Sequence, residues 1–357
     1  MRLPRIRIKF EERAFPTFQT TLLTSFVALL IVLGVCSVFL VNTGVNPFIA
    51  YYLIVRGAFG NVMTFAETIS LTGTLLLSGL AVTVAFRVGF FNIGVEGQLI
   101  TGAIAATGVG LALGGVMPIF VNIPLIILAS FVAGGLTSFV PGAFKVKFRA
   151  NEVLTTLMLN AILALVLSWL CHGPWREPGG WPETVALDAS ATLPVLMART
   201  RLHAGIFIAI AALIAVYILF KKTTLGYKIR AVGANPDAAY SHGIKRTEIF
   251  LTAAFLSGGL GGLMGAIEIT GVQHYLFPNF SLGYGYIGVM IALIGRLNPV
   301  GVVIAAFSFA ALINGSQVMQ TTTGIPFELT NAIQAVTLII FTSAEILNFY
   351  KIRVIRK

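Results

Sequence analysis

The sequence is poor in acid. Its 357 residues carry 13 Asp and Glu against 24 Lys and Arg, and only Asp188 and Asp237 are aspartates. A dyad of membrane-embedded aspartates therefore has no candidates. Charged residues of both signs make up 10% of the chain, where ordinary soluble domains carry about a quarter. That is too little to cover a soluble surface. No G-x-x-x-x-G-K-[ST] stretch occurs, so a P-loop for ATP is excluded. There is no H-E-x-x-H, and His172, His203, His242 and His274 have no ligand spacing. Cys36 and Cys171 sit in apolar stretches and offer no disulfide framework. Enzyme chemistry is disfavoured, and no cofactor or metal is expected on this chain.

What is present is apolar. Hydrophobic residues make up 57% and the mean hydropathy is +0.91. The 37 glycines suit close helix–helix approach in lipid, where small residues let backbones touch. A span needs about 20 apolar residues. Such runs lie near 22–41, 65–86, 95–114, 118–141, 152–171, 202–220, 248–270, 284–295, 300–318 and 331–350. The expectation is an all-α polytopic membrane protein of about ten helices, with 1–357 forming one transmembrane domain. The first run exceeds a signal-peptide core of about 7–15 residues and lacks a small-residue cleavage site, so it reads as a retained span. The run at 284–295 is short and punctuated by Gly283, Gly285, Gly288 and Gly295. A half-helix and an ordinary short span both fit it.

The net charge is +11, yet its distribution argues for topology rather than nucleic acid. Of the 24 basic residues, 18 fall in four clusters, Arg2 to Arg13, Lys145 to Arg149, Lys221 to Arg246 and Lys351 to Lys357. Cytoplasmic loops carry such an excess. An even number of expected spans separates each cluster from the next, so all four share one side. Both termini are then expected in the cytoplasm, with 1–21 a cytoplasmic N-terminal segment. Anionic-lipid binding by the two tails is a secondary role. The segment 172–201 becomes an extracytoplasmic loop, where Trp175 and Trp181 suit an interface. The segment 221–247 becomes a cytoplasmic loop.

That cytoplasmic loop is the most informative stretch. Asn235 is a good N-cap and Pro236 suits the first helical position. Asp237 favours the positive helix end, and Gly243 can close the other end in the left-handed region. A short, well-capped helix outside the membrane can receive force from a soluble motor. A solvated loop helix without a partner carries the same local signals. Intramembrane polar residues are the other candidates. Asn92, Glu96 and Gln98 flank a Gly-permitted break, and an ionisable residue in a span is a functional candidate by default. Asn160, Glu268, Asn314, Gln317, Asn331 and Gln334 sit at helical positions, where interhelical hydrogen bonding and solute contact both explain them.

Several blocks carry a family resemblance. From Thr223 to Ile244 the sequence reads T-x-x-G-x-x-I-R-A-V-G-x-N-P-x-A-A-x-x-x-G-I. This resembles the coupling loop of ABC importer permeases of the ribose, branched-chain amino acid and nucleoside superfamily. The block Phe86-Arg87-Val88-Gly89-Phe90-Phe91-Asn92-Ile93-Gly94-Val95-Glu96-Gly97-Gln98 is similar to the A-F-R-x-G-x-F-N-I-G-x-E-G-Q block of nucleoside-type permeases. Asn151 to Asn160 is similar to their N-E-V-x-x-T-x-M-L-N block, and Gly295-Arg296-Leu297-Asn298-Pro299 to their G-R-x-N-P turn. Leu297 stands where a polar residue is expected, and the outer loop matches no motif.

The resemblance implies a multi-pass subunit of the cell inner membrane that forms half of a translocation path. Its partners would be a second, related permease, two ABC ATPase domains and a solute-binding protein or lipoprotein, with no nucleic acid. ATP and Mg would be used by the ATPase subunit alone. Gly226, Arg230, Gly233, Asn235, Pro236, Asp237, Ala238, Ala239 and Gly243 would belong to the coupling loop, with Ala238 and Ala239 packed on the ATPase. Asn92, Glu96, Gln98, Asn160, Asn314 and Gln317 are candidates for the pathway. A nucleoside solute is implied, with another sugar or a heterocycle as the alternative. An ion-coupled secondary transporter is the rival class, and its acidic candidates are Glu67, Glu96, Glu268 and Glu345.

Overall fold

In the computed structural model, residues 6–12, 18–324 and 350–356 are described, together with 331–333, 335–337, 339–340 and 343–344. Helices dominate them. They are α1 (Phe18–Asn42), α2 (Pro47–Phe59), α3 (Val62–Arg87), α4 (Val95–Leu113), α5 (Ile119–Phe148) and α6 (Glu152–His172). After the outer loop come α7 (Gly205–Lys222), α8 (Thr224–Ala234), α9 (Pro236–Ser241), α10 (Arg246–Glu268), α11 (Tyr284–Ile294) and α12 (Pro299–Thr323). To the expected all-α architecture the chain adds one two-stranded ribbon, in which β1 (Ile6–Glu12) pairs antiparallel with β2 (Tyr350–Arg356).

Among the described residues, seven helices are long and apolar enough to cross a membrane, namely α3, α4, α5, α6, α7, α12 and α10 with its extension to Gln273. An eighth candidate is the pair α1–α2, bent by 114°. Helix α2 was not anticipated. Asn46 caps it by accepting from the Phe48 N–H at 2.9 Å, and Pro47 opens its first turn. The expected span at 284–295 holds only the 11 residues of α11, about 16 Å of helix and half a bilayer core. The expected tenth span, at 331–350, lies partly outside the described residues, as does the position of Gln334.

The chain divides into two compact units, a terminal one (Met1–Gly60 with Ala311–Lys357) and a central one (Asn61–Ala310). In the terminal unit, Val32, Cys36, Leu40, Leu53 and Met319 bury one another. The Asn314 amide donates to the Gly57 carbonyl at 3.3 Å, and Gln317 is exposed.

In the central unit, α3, α4 and α10 are the innermost spans, while α5, α6 and α7 expose most of their length. Leu154, Met158, Ile162 and Leu165 give α6 an apolar outer stripe. Water would penalise that stripe; lipid or an apolar partner does not. The inner helices meet through glycine. A side chain at Gly102 would strike the backbone of Gly262, one at Gly134 the Gly258 carbonyl, and one at Gly265 the Leu99 carbonyl. Helices α4, α5 and α10 thus touch main chain to main chain.

Candidate functional site

The first site begins where α3 stops. Gly89 adopts φ +82°, which lets the Gly89 N–H reach the Phe86 carbonyl and the Phe90 N–H reach the Ala85 carbonyl. This is a Schellman closure, and only glycine enters it without strain. The chain then turns back into the bundle. Phe90 packs edge-on to Phe250 of α10. Asn92, fully buried, donates to the Ser257 hydroxyl at 3.0 Å, and Ser257 donates to the Ala81 carbonyl at 2.7 Å. Ala81 lies six residues before the end of α3, about 9 Å along its axis. The Asn92 block therefore sits inside the bundle, level with the middle of α10.

Asn92, Gln98 and Asn160 build the start of α4. The Asn92 carbonyl oxygen accepts from the Gly94 N–H and from the Gln98 amide, both at 2.9 Å. The Asn160 carbonyl oxygen, reaching over from α6, accepts from the Gly97 N–H at 2.9 Å, and its amide donates to the Ile93 carbonyl at 3.0 Å. A helix start leaves its first N–H groups unpaired, and no water reaches these. Side chains from two other segments satisfy them instead.

Glu96 does the same for a different helix. Gly283 at the N-cap of α11 offers no side chain, and the Glu96 carboxylate accepts from the Gly285 N–H at 2.8 Å. A negative group there also meets the positive end of the α11 dipole. Ser78 of α3 donates to the Tyr284 carbonyl at 2.9 Å. The two helix starts, of α4 and α11, thus meet in the bundle interior. Tyr286, half-exposed, approaches Asn160 through its hydroxyl at 3.3 Å. Tyr286 and Ser257 were not among the candidates read from the sequence, because their partners lie in distant segments.

Beyond these, Glu268 is buried at the end of α10 and accepts from Thr74 at 3.3 Å and Gln273 at 3.2 Å. The helix continues there as a π-turn, Ile269–Gln273. The outer loop runs along it, with the N–H groups of Thr184, Leu187 and Leu193 bonded to the carbonyls of Leu276, His274 and Thr270. His203 ends that loop. Burial, with repulsion from His274 adding to it, holds its imidazole down to about 4. Asn314 and Gln317 belong to the terminal unit described above.

The second site is the loop after α7. Its second half is the expected capped helix. The Asn235 side chain accepts from the Asp237 and Ala238 N–H groups at 3.1 and 3.0 Å, Pro236 opens the first turn, and Gly243 closes the end at φ +80°. Its first half, α8, is a helix that was not foreseen. Thr223 caps α8 through the Gly226 N–H at 3.0 Å. A side chain at Gly226 would strike the Leu219 carbonyl, and one at Gly233 the Arg87 carbonyl. Both glycines press α8 onto the ends of α7 and α3. Arg230 donates to the Phe220 carbonyl. Asp237 pairs with Arg246 at 2.8 Å, and both are exposed. Of the two alanines, Ala239 is buried within the chain itself, while Ala238 and Tyr240 face outward.

Arg87 fastens the G-R-x-N-P turn to this region. Its Nε and Nη2 donate to the Leu297 carbonyl at 3.0 and 2.8 Å. Arg296 and Leu297 both hold positive φ, and it is the main-chain oxygen of residue 297 that is used. A leucine side chain therefore serves where a polar one was expected.

Residues 64–342 match the family model described as branched-chain amino acid transport system / permease component. The glucose ABC transporter permease protein TsgB13 of Haloferax volcanii is 32% identical over 92% of this chain and 89% of its own length. The guanosine ABC transporter permease protein NupP of Bacillus subtilis is 33% identical over 92% and 95%. The nucleoside ABC transporter permease protein NupB of Lactococcus lactis is 33% identical over 82% of each chain. Each of these organisms has a second matching permease, 25% to 28% identical. No solved structure matches. With seven apolar spans among the described residues, two helix starts buried in the bundle and a capped helix outside it, the chain belongs to the branched-chain amino acid transport system / permease component family, as a membrane-spanning permease subunit of an ABC transporter.

Proposed function

We propose that the chain forms half of a nucleoside path across the inner membrane and takes its driving force through α8–α9 from a separate ATPase subunit. The observation that carries the coupling role is the presentation of α9. It is capped at both ends by its own residues and anchored on Ala239, with Ala238 and Tyr240 turned outward. Such a helix keeps its shape when pushed. ATP and Mg act in the partner ATPase, and a solute-binding protein delivers the solute. Two permeases per organism among the relatives support a second, related permease as the other half of the path.

The basic residues support the orientation. Arg87, Lys221 and Arg230 share one end of the central unit, and Lys145 lies over the Phe250 ring near the start of α10. The pairing of β1 with β2 puts residues near the two termini on one side, which supports an even number of crossings. Asn92, Glu96, Gln98 and Asn160 shape the path by holding two helix starts in the interior, with Tyr286 on the exposed side. Two of the three relatives reported are named for nucleosides or guanosine, and the third, named for glucose, gives a monosaccharide as the second reading.

The test has two arms. Ala238→Glu puts a charge on the outward face of α9 and should abolish uptake while the complex still inserts; normal uptake would remove α9 as the coupling element. Labelled guanosine and uridine uptake is then measured against excess glucose, ribose and leucine. Inhibition by nucleosides alone supports the assignment, and glucose uptake without nucleoside uptake replaces it.

A further inference from the structure

Two cavities lie along the same pair of helices. The first, of about 210 Å³, is lined by Arg87, Phe220, Lys221, Arg230, Asn298 and Pro299. The second, of about 310 Å³, is lined by Leu213, Ile214, Tyr217, Val300, Val303 and Ile304. On α7 the lining residues recur at intervals of three and four from Leu213 to Lys221, and on α12 from Pro299 to Ile304. Each set is one helix face. The apolar groove, about 6 Å along each helix, and the basic pocket thus follow one another on the same two faces, about 12 Å in all along α7.

Among the described residues that line it, the pocket has three cationic side chains and no carboxylate. Among the described residues the ion pairs are Lys145–Glu152, Lys245–Glu248 and Asp237–Arg246, none of which reaches it. The Arg87 and Arg230 side chains line the same pocket. Partly enclosed like charges are costly until an anion joins them. Arg87 spends two of its five N–H donors on the Leu297 carbonyl, and Arg230 spends one on Phe220. The remaining donors form two planar forks, the geometry that grips phosphate oxygens.

We propose that this pocket and groove together bind an anionic phospholipid, its phosphate held by Arg87, Lys221 and Arg230 and an acyl chain laid between α7 and α12. The site faces the cytoplasmic leaflet, which rests on the orientation given above. Basic pockets at the cytoplasmic ends of spans take anionic headgroups. A soluble phosphate or an acidic side chain of the ATPase would satisfy the pocket and leave the groove unused; a phospholipid fills both. The bound headgroup would tie α7, α8 and α12 at one point, beside the coupling loop.

The experiment uses the assembled transporter in nanodiscs and in neutral detergent. Retained lipid is counted by native mass spectrometry during titration with phosphatidylglycerol or phosphatidylcholine. The expected result is at least a tenfold preference for phosphatidylglycerol. Lys221→Gln, at an exposed position, and Arg230→Gln should each weaken that binding about tenfold. Ile304→Trp, which fills the groove and leaves every charge in place, should weaken it as much. Equal binding of the two lipids, or phosphatidylglycerol binding unchanged in all three variants, overturns the proposal. Competition by millimolar glycerol phosphate that Ile304→Trp does not affect would assign the pocket to a soluble anion and overturn the lipid. No lipid retained in the full complex would overturn it as well. The readout is independent of uptake, so loss of the nucleoside assignment leaves it standing. Labelling of a cysteine at Lys228 from outside would instead remove the orientation.

Discussion

Replacing Asn160 with alanine tests whether the interior helix start depends on a side chain from another helix. In the wild type, Asn160 satisfies the Gly97 N–H at 2.9 Å and the Ile93 carbonyl at 3.0 Å. Alanine leaves the buried Gly97 N–H and the half-buried Ile93 carbonyl without that partner. Each such loss costs about 1–3 kcal/mol, so the pair costs about 2–6 kcal/mol. At roughly 2–4 °C per kcal/mol for chains of somewhat smaller size, the melting temperature should fall on the order of 5–20 °C. Cys36 and Cys171 are buried and free, so a thiol-reactive dye reports unfolding directly. Ile162→Ala, on the exposed face of the same helix, is the control and should shift the melt by little. If Asn160→Ala melts within about 2 °C of wild type, the bonds are incidental and α4 begins where it does for another reason.

Further outcomes are expected. In a background without native cysteines, single cysteines at Arg149 and Lys228 should be labelled from the cytoplasmic side and one at Asp188 only from outside. Labelling of Lys228 from outside would break the assigned orientation. Gly262→Val should prevent accumulation of the subunit, because its new atoms meet the Ser130 carbonyl and Gly134; normal expression would show that α10 can shift outward. His203 stays neutral in the fold down to about 4, whereas a free histidine protonates near 6.5. The unfolded chain therefore binds more protons in that window, and stability should fall as pH drops from about 6.5 to 4, by on the order of 3 kcal/mol. His203 accepts from the Gly205 N–H at 3.0 Å through Nδ1; His203→Asn keeps an acceptor there and should flatten the acid limb of a melting-temperature profile. An unchanged limb would place the sensitivity elsewhere.

The parts of this architecture that local chemistry dictates were legible in the sequence. Asn235, Pro236 and Gly243 announce α9 because a cap bonds to residues two or three positions away. The glycines around 284–295 announced a short element for the same reason. What stayed hidden depends on distant partners. Glu96 caps α11, 189 residues further along, and no local pattern records that. The depth of Asn92 follows from a reversal at Gly89 that brings it to Ser257. Helix α8 was missed because the polar residues between Thr223 and Asn235 resemble loop, while its folding rests on Gly226 and Gly233 lying flat against neighbouring main chain. Gln317, polar and within a span, is exposed in its own unit.

The contact of α4, α5 and α10 through bare glycine has a mechanical consequence. Helices separated by side chains can slip, because rotamers yield and re-engage one notch along. Here nothing lies between the backbones to yield. A shift of one residue, 1.5 Å, would drive a carbonyl into a neighbouring Cα. The three helices therefore form a stiff strut, so a displacement imposed at Arg246 would be carried along α10 to Ser257 and the Asn92 turn. Bending is left to the joints beside it, where Gly89, ahead of α4, and Gly283, ahead of α11, hold a positive φ that side chains rarely adopt.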